Sequence, residues 1–340
     1  MMGIFITILH SIILAVHAMG GIAFMAGGDV NGAVLGVATE RHFPQARIVT
    51  PFTATAFPLR APETPLLPQR KEEHMLRFRI KDAHAVAVID VRSGTLLYDK
   101  NAHQRRAIAS LTKLYTAYIV RTSGVAMDAP VTVGEEIRGV IGSRVGCKSS
   151  TICDGQRLHV GEVVRVRDLL TAMLVASAND AAVVLAHYIA GSESAFVALM
   201  NARAQALGLH DSHFCSPNGL EKDGEECYSS AADIGRIAAL AVHDGFIWDQ
   251  LNTKARTITS VDGAVSHHLE ATNHFAQTND IDGILGAKTG FTPRAGKSLL
   301  AVVQNPTMPD VKIVGVLLDD PNRWQDMKAL IEWTWERYIW

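Results

Sequence analysis

The chain has 340 residues, of which 48% are hydrophobic and 19% are charged, and its formal net charge is −2. The near-zero charge excludes a nucleic-acid-binding protein that works through bulk positive charge. The composition also excludes a collagen-like or a wholly disordered chain. Only one long uncharged stretch is present, which excludes a membrane protein with several spans. One globular domain of ordinary size, together with an additional segment, accounts for the length.

The additional segment lies at the N-terminus, in residues 1–28. It contains no charged side chain, and Gly3–Val16 is almost continuously apolar. Val16 and Ala18 occupy the −3 and −1 positions of a signal-peptidase site. We therefore predict a signal peptide, or alternatively an uncleaved membrane anchor, and an exported protein in the periplasm or at the outer face of the cytoplasmic membrane. The first basic residue, Arg41, follows the apolar stretch, which is unusual for an export signal.

Residues 29–79 have the composition of a disordered linker. Six of the twelve prolines fall between Pro44 and Pro68, amid Thr, Ala and Gln and without hydrophobic periodicity. Such a stretch buries too little apolar surface to offset its ordering entropy. We expect ordered structure to resume near Leu76, which leaves one domain over residues 80–340.

Predicted strands lie at both ends of this domain, and predicted helices lie between them. Short apolar runs bounded by turn residues predict strands at Ala85–Asp90, Thr95–Tyr98, Ile284–Lys288, Ser298–Gln304 and Lys312–Leu317. Helical spacing predicts helices at Ile108–Val120, Val166–Ile189, Ala195–Ala206, Ala231–Val242 and Trp324–Tyr338. This order predicts an α+β fold, an α/β sandwich in which helices flank an antiparallel sheet and an all-helical subdomain is inserted. A cleft is expected where the two parts meet.

The four cysteines form two close pairs, Cys147 with Cys153 and Cys215 with Cys227. Bridges between nearest neighbours would each stabilise the fold by roughly 2–3 kcal/mol through chain entropy. Disulfides also suit an exported protein, although the other pairings and free thiols stay open. No Cys-x-x-Cys or His-x-x-x-His spacing supports a zinc site, so no metal or other cofactor is predicted.

Ser110 and Lys113 stand in a Ser-Leu-Thr-Lys segment near the start of a predicted helix. Positions i and i+3 lie on one face of a helix, so the hydroxyl and the amine can touch. The backbone N–H of Ser110 would have no partner within the helix and could hold an oxyanion. By itself a Ser-x-x-Lys spacing is weak evidence, because it occurs by chance.

Three further segments carry polar residues of interest. Ser177-Ala-Asn179 interrupts the long apolar helical region and could equally be a simple break between helices. Lys288-Thr289-Gly290 ends a predicted strand whose glycines would allow a sheet edge that a peptide can join. Ser216-Pro-Asn218 repeats the Ser-x-Asn spacing, but its Pro/Gly composition is explained by a turn.

The order Ser-x-x-Lys, Ser-x-Asn, Lys-Thr-Gly is far more specific than its parts, and it is typical of penicillin-binding proteins and class A β-lactamases. From about Ala85 to Trp333 the chain resembles the serine-type D-alanyl-D-alanine carboxypeptidases, the low-molecular-mass penicillin-binding proteins of peptidase S11 type. The likeness includes the segments ASLTK, SANDAA, FVALMNARAQALGLHDSHF, YSSAADI and DGILGAKTGFT. It implies a β-lactamase/transpeptidase-like fold, peptidoglycan stem peptides as substrates and β-lactam antibiotics as covalent inhibitors.

The resemblance also implies a role for each motif residue. Ser110 would attack the carbonyl of a terminal D-Ala–D-Ala bond, and Lys113 would take its proton. Lys113 must then be neutral near pH 7, and lowering its pKa by ~3 units costs about 4 kcal/mol, which burial and a second cation, Lys288, could supply. Ser177 would pass a proton to the departing amine, and Asn179 would hold Lys113 and the substrate backbone.

By the same resemblance, a second set of residues would bind the substrate. Lys288 and Thr289, followed by Gly290, would bind the free carboxylate, and Arg323 lies where the family carries a carboxylate-binding arginine. The oxyanion donors would be the backbone N–H groups of Ser110 and Phe291. Many relatives carry histidine at the position of Phe291, a change that keeps the backbone donor but alters the side chain.

Three other functions stay open. A class A β-lactamase carries a Glu-x-x-Leu-Asn segment that activates the deacylating water, and the chain contains none. A non-catalytic wall-binding protein would keep the fold, but here every motif side chain is present. Carboxypeptidase relatives often carry a C-terminal β domain and an amphipathic anchor. The sequence ends at Trp340, shortly after the last predicted helix, which favours a DD-endopeptidase somewhat without deciding the matter.

Overall fold

A computed structural model describes residues 67–71, 78–146, 157–222 and 224–340. Its strands are β1 (Gln69–Arg70), β2 (Ala85–Asp90), β3 (Leu96–Lys100), β4 (Pro130–Thr132), β5 (Val163–Arg165), β6 (Ala255–Thr259), β7 (Ser266–Glu270), β8 (Ile284–Thr292), β9 (Gly296–Gln304), β10 (Lys312–Leu318) and β11 (Tyr338–Ile339). Its α-helices are α1 (Thr112–Thr122), α2 (Val166–Val175), α3 (Asn179–Ala190), α4 (Glu193–Ala206), α5 (Ala231–Ala241), α6 (Gly245–Leu251), α7 (His274–Thr278) and α8 (Arg323–Arg337). Short 3-10 turns lie at Ala109–Leu111 and Glu135–Ile137.

The central sheet has five antiparallel strands in the order β3-β2-β10-β9-β8. Since β2 and β3 precede the main run of helices and β8–β10 follow it, the predicted antiparallel sheet built from both ends of the domain is confirmed. Every residue of β2 is buried, so both faces of the sheet are covered. Alternate residues of β2 enter different cores: Ala85 and Ala87 join the larger hydrophobic cluster, and Val86 and Val88 join the smaller one.

Helices cover the two faces of this sheet. Met327 and Leu330 of α8 are buried in the smaller core, which also contains Ile313 of β10. Leu114 of α1 and Ile234 of α5 are buried in the larger core on the opposite face. The α+β sandwich with flanking helices is therefore the architecture of the described domain, and β8 forms one edge of its sheet. The prediction that the insertion is all-helical is wrong, because the two-stranded sheets β4-β5 and β6-β7 lie among its helices.

The helical region predicted over Val166–Ile189 consists of two helices, α2 and α3, so the predicted alternative of a break at Ser177-Ala-Asn179 is confirmed. Ser177 lies between them with φ 57°, a left-handed conformation that an α-helix of L-residues does not continue. Most residues of both helices are buried. Within the described ranges no single helix is long and apolar enough to cross a membrane, and only α3 with α4, taken together as a pair bent by 81°, passes on length and composition.

Strand β1 lies inside the range 29–79 that the composition assigned to the linker. Gln69 and Arg70 pair with Ile339 and Tyr338 of β11, and the Lys71 N–H donates to the Arg337 carbonyl over 3.0 Å. Because these are backbone hydrogen bonds, composition gives no sign of them. The linker prediction is therefore wrong for residues 69–70. The predicted signal in residues 1–28 lies outside the described residues.

Candidate active site

Ser110 lies in the 3-10 turn Ala109–Leu111, directly before α1 begins. Lys113 Nζ donates a hydrogen bond to Ser110 Oγ over 2.8 Å, so the predicted contact across one helical turn is present. The preceding residue, Ala109, has φ 47°, and a left-handed conformation of this kind costs about 1–3 kcal/mol for a residue other than glycine. The surrounding packing therefore holds the serine at a strained helix start.

Lys113 is completely buried. Burial lowers the pKa of its amine well below the usual value, and the positive charge of Lys288 lowers it further, while the carboxylate of Asp180 acts in the opposite direction. Lys113 Nζ also donates to the backbone carbonyl of Asn218 over 2.8 Å. An amine that is readily neutral beside a serine hydroxyl has the arrangement of a general base and its nucleophile.

Ser177 and Lys288 form a second hydroxyl–amine pair. Lys288 Nζ donates to Ser177 Oγ over 2.9 Å, across 111 residues of sequence, and to the Thr289 carbonyl over 3.1 Å. Burial lowers the pKa of Lys288 to about 7, and the charge of Arg323 is the second cause. Two of the motifs found in the sequence are thus joined directly, and the third is coupled to them by the charge of Lys288.

Asn179 is the first residue of α3 and is buried. Its Nδ2 donates to the Ile141 carbonyl over 2.7 Å, and its backbone N–H donates to the Ser143 carbonyl over 2.7 Å. The expected contact between Asn179 and Lys113 stays a prediction, since the hydrogen bonds described for Asn179 go to this loop. Asn179 therefore fixes residues 141–143 beside the site.

Asp180 also holds this loop, through hydrogen bonds from the loop backbone to its carboxylate. Its carboxylate oxygens accept the backbone N–H of Val145 over 3.0 and 3.2 Å and that of Ala181 over 2.9 Å. Burial raises the pKa of Asp180 to about 6, although these hydrogen bonds act against that shift. No side-chain motif in the sequence points to Asp180, whose partners are backbone groups.

Strand β8 passes beside the turn that carries Ser110. It runs to Thr292, beyond the predicted end of the strand, and forms an edge of the central sheet, so the predicted edge position of the Lys-Thr-Gly segment is confirmed. A Cβ at Gly290 would stand 2.7 Å from the Ile108 carbonyl oxygen, so only glycine allows β8 to lie this close to the turn. The next residue, Phe291, is 62% exposed.

The remaining predicted substrate-binding residues lie along the same edge. Thr289 Oγ1 donates to Thr272 Oγ1 over 2.9 Å. Arg323 is the first residue of α8, and its Nη1 donates to the carbonyls of Gly290 and Ser298 over 3.2 and 3.3 Å. A hydroxyl and two cationic side chains are therefore gathered at the end of β8 nearest Ser110.

The segment Ser216–Gly219 belongs to the site, a role that its sequence did not predict. It is a turn, as predicted, but the Asn218 carbonyl accepts from Lys113 and the Pro217 carbonyl accepts from Thr116 Oγ1 over 2.6 Å. Any residue could supply these backbone acceptors, so no side-chain motif predicts them. The available signal was Gly219, whose φ is 81° and whose added Cβ would clash with the Ala109 carbonyl.

Cys215 and Cys227 form a disulfide that closes this segment, so the nearest-neighbour pairing is confirmed for this pair. Cys147 and Cys153 lie outside the described residues, and their bridge stays a prediction.

The sheet, the inserted helices and the site at their junction define a fold class, that of the DD-transpeptidases. The crystal structure of the Streptomyces K15 DD-transpeptidase is similar with a TM-score of 0.67 and 26% identity, over 77% of this chain and all of that one. The family model described as D-alanyl-D-alanine carboxypeptidase, peptidase S11, matches residues 71–322. The chain belongs to the peptidase S11 family.

Two curated relatives show how far the similarity extends. The D-alanyl-D-alanine carboxypeptidase DacA of Escherichia coli K12 is 34% identical over 260 residues, which are 74% of this chain and 60% of the relative. A D-alanyl-D-alanine endopeptidase of Pseudomonas aeruginosa is 32% identical over 217 residues, which are 63% of this chain and 64% of the relative. The chain thus spans about three fifths of the length of the curated relatives that it matches.

Proposed function

We propose that the protein is a serine-type D-alanyl-D-alanine carboxypeptidase that cleaves peptidoglycan stem peptides through an acyl-enzyme on Ser110. The observation that carries this proposal is the 2.8 Å hydrogen bond between Ser110 Oγ and the buried amine of Lys113. Burial and the charge of Lys288 lower the pKa of that amine, which favours the neutral form that a general base requires. Membership of the S11 family supports the same reaction.

In the first step, neutral Lys113 takes the hydroxyl proton while Ser110 Oγ bonds to the carbonyl carbon of the D-Ala–D-Ala bond. The backbone N–H groups of Ser110 and Phe291 stabilise the oxyanion that develops. The close packing of Gly290 against the Ile108 carbonyl supports this assignment, because it keeps the end of β8 next to the serine.

In the second step the C–N bond breaks and the terminal D-alanine leaves. Ser177 gives a proton to the departing amine and is reprotonated with the proton that Lys113 took from Ser110, while the hydrogen bond from Lys288 to Ser177 orients the hydroxyl for this transfer. Water then hydrolyses the ester and frees Ser110. A β-lactam would follow the first step but leave a long-lived ester, which makes it a covalent inhibitor.

The substrate's free carboxylate is bound at the end of β8. Lys288 and Arg323 supply positive charge there, and Thr289 supplies a hydroxyl that now bonds Thr272. We extend the proposal to an exported enzyme at the outer side of the cytoplasmic membrane, on the strength of the apolar residues 1–28.

A DD-endopeptidase, which cuts cross-links between stem peptides, is the second candidate. The similarity to the Pseudomonas aeruginosa endopeptidase favours it. The two activities share the acylation chemistry, so they differ in which acyl donor and leaving group the cleft accepts.

Labelling with a fluorescent penicillin tests the acyl-enzyme. We expect one covalent adduct on Ser110 that is lost in Ser110→Ala, and an unlabelled native protein would overturn the proposal in favour of a wall-binding function. Products are then assayed from a pentapeptide and from a cross-linked dimer in parallel. Release of D-alanine from the pentapeptide identifies the carboxypeptidase, whereas cleavage of the dimer alone identifies the endopeptidase.

A further inference from the structure

We propose that the Cys215–Cys227 disulfide is a positioning element for Lys113, so that its reduction by a dithiol slows acylation of Ser110. The inference rests on the function proposed above. It makes the thiol–disulfide state of one cysteine pair a determinant of the activity of the site.

The disulfide closes the segment that holds the lysine. Outside the loop that the bridge closes, His213 and Tyr228 pair through two backbone hydrogen bonds, 2.8 and 2.9 Å long. Inside this loop lies Ser216–Gly219, the turn described above. Cys215 therefore leads directly from the paired backbone into the turn.

This turn is attached to α1 at two points one residue apart. The Asn218 carbonyl accepts from Lys113 Nζ over 2.8 Å, and the Pro217 carbonyl accepts from Thr116 Oγ1 over 2.6 Å. Lys113 is completely buried, so losing the Asn218 acceptor would leave an amine hydrogen without a partner or draw in water. Either response would leave the amine less firmly held beside Ser110 Oγ.

The other hydrogen bonds of the turn are mostly local. Ser216 Oγ accepts from the Gly219 N–H and donates to the Leu220 carbonyl, and Asn218 Oδ1 accepts from the Leu220 N–H. These bonds set the shape of the turn but not its position against α1. Glu221 adds one longer tie, accepting from Thr292 Oγ1 over 3.2 Å. Asn201 holds the Phe214 backbone, next to Cys215, through two hydrogen bonds of 2.8 and 2.9 Å. The bridge adds a covalent constraint on where the Asn218 carbonyl stands.

The bridge is open to chemical attack from one side. Cys215 is buried, but Cys227 is partly exposed, so a thiolate can reach its sulfur. The first thiolate bonds to one sulfur and displaces the other, and the second thiol of the dithiol then releases the first as a cyclic disulfide. Two electrons and two protons pass from the dithiol to the two cysteines, which become thiols.

The experiment measures two properties of the full chain before and after dithiothreitol treatment. The first is penicillin acylation, separated into the affinity of the initial complex and the rate constant of the covalent step. The second is the labelling of Lys113 by acetic anhydride, followed by peptide mass spectrometry. We expect the covalent rate constant to fall about tenfold or more with the affinity changed less than twofold, and Lys113 labelling to rise at least severalfold. Reoxidation should restore both values.

Two variants serve as matched controls. Cys215→Ala/Cys227→Ala should show the slow rate without reductant and no further response to it. Cys147→Ala/Cys153→Ala, which removes the other close pair, should respond to dithiothreitol as the unaltered chain does. Near-UV circular dichroism verifies that each sample is folded at the assay temperature.

An unchanged rate constant and unchanged Lys113 labelling in folded, reduced protein would overturn the inference. A fall in rate and affinity together, in proportion to the unfolded fraction, would also overturn it, because it would assign the bridge to stability alone. If the oxidised protein takes no penicillin, the proposed function fails. The labelling of Lys113 then still decides the positioning role, since it does not depend on acylation.

Discussion

Lys288 lowers the pKa of Lys113, and it is the largest cause after burial. The two amines are both buried, and each hydrogen-bonds a different serine, Lys113 to Ser110 and Lys288 to Ser177. The site therefore disfavours two positive charges at once. Because the pKa of Lys288 is itself lowered to about 7, protonation of this lysine in the neutral range makes Lys113 still harder to protonate.

Replacing Lys113 should stop acylation. Lys113→Ala removes the group within 2.8 Å of Ser110 Oγ, and general base catalysis contributes about 10²–10⁴-fold to the rate. We expect a loss of that size in stopped-flow penicillin acylation, with native circular dichroism retained. Lys113→Met, which fills more of the buried space, is the control for packing. Acylation within a few-fold of the unaltered enzyme would remove Lys113 from the role of base.

Replacing Lys288 should increase stability near neutral pH while reducing activity. The folded-state pKa of about 7 lies below the ordinary 10.5. The free energy of unfolding therefore carries no penalty from Lys288 above pH 10.5, and it decreases as the pH falls from 10.5 to 7. Burying this cation therefore costs up to about 5 kcal/mol at pH 6. We expect Lys288→Met to raise the melting temperature at pH 6 by calorimetry, with an advantage that shrinks towards pH 10. An advantage equal at all pH values would contradict the titration of Lys288.

Asp180 should make stability fall between pH 4 and pH 6. Its folded-state pKa of about 6 lies above the ordinary 3.8, so its contribution is full below pH 3.8 and is lost as the pH rises through 6. The difference of about two units corresponds to roughly 3 kcal/mol. Asp180→Asn removes the titration and keeps an oxygen for the Val145 N–H. We expect urea unfolding to show the variant gaining on the unaltered chain across this window, and a constant difference would disprove the assignment.

Adding one methyl group to Gly290 should damage the oxyanion site. The new Cβ would stand 2.7 Å from the Ile108 carbonyl oxygen and push β8 away from the turn of Ser110. Loss of one oxyanion donor costs about 10²–10³ in rate, so we expect Gly290→Ala to reduce penicillin acylation by this factor.

Gly286→Ala is the matched control on the same strand. Its Cβ would stand 2.9 Å from Leu251 Cβ, a comparable crowding away from the serine. We expect a lower melting temperature with near-normal acylation in the remaining folded protein. Equal loss of rate in both variants would mean that Gly290 acts through overall stability.

The sequence predicted the parts of the site that depend on side-chain identity. Ser110, Lys113, Ser177 and Lys288 were found through motif order. The structure joins Ser110 with Lys113, as predicted, and also Ser177 with Lys288. The antiparallel sheet with inserted helices followed from the order of short apolar runs and helical spacing. These features could be predicted because hydroxyls, amines and apolar periodicity are visible in the letters of the sequence.

The parts that could not be predicted depend on backbone groups. The Asn218 carbonyl that accepts from Lys113 and the Ile141 carbonyl that accepts from Asn179 can be supplied by any residue. A break between helices at Ser177 was one of the predicted alternatives, but its left-handed backbone conformation cannot be read from the side chain. The pairing of β1 with β11 is likewise made by main-chain groups.

That pairing has a mechanical consequence. Strand β1 precedes the domain core in sequence, yet it is hydrogen-bonded to β11, immediately beyond α8. A force applied to the chain at residue 67 would therefore first load the two residue pairs between β1 and β11 and the hydrogen bond from Lys71 to Arg337. These hydrogen bonds would break before tension reached β2 and the sheet that carries β8.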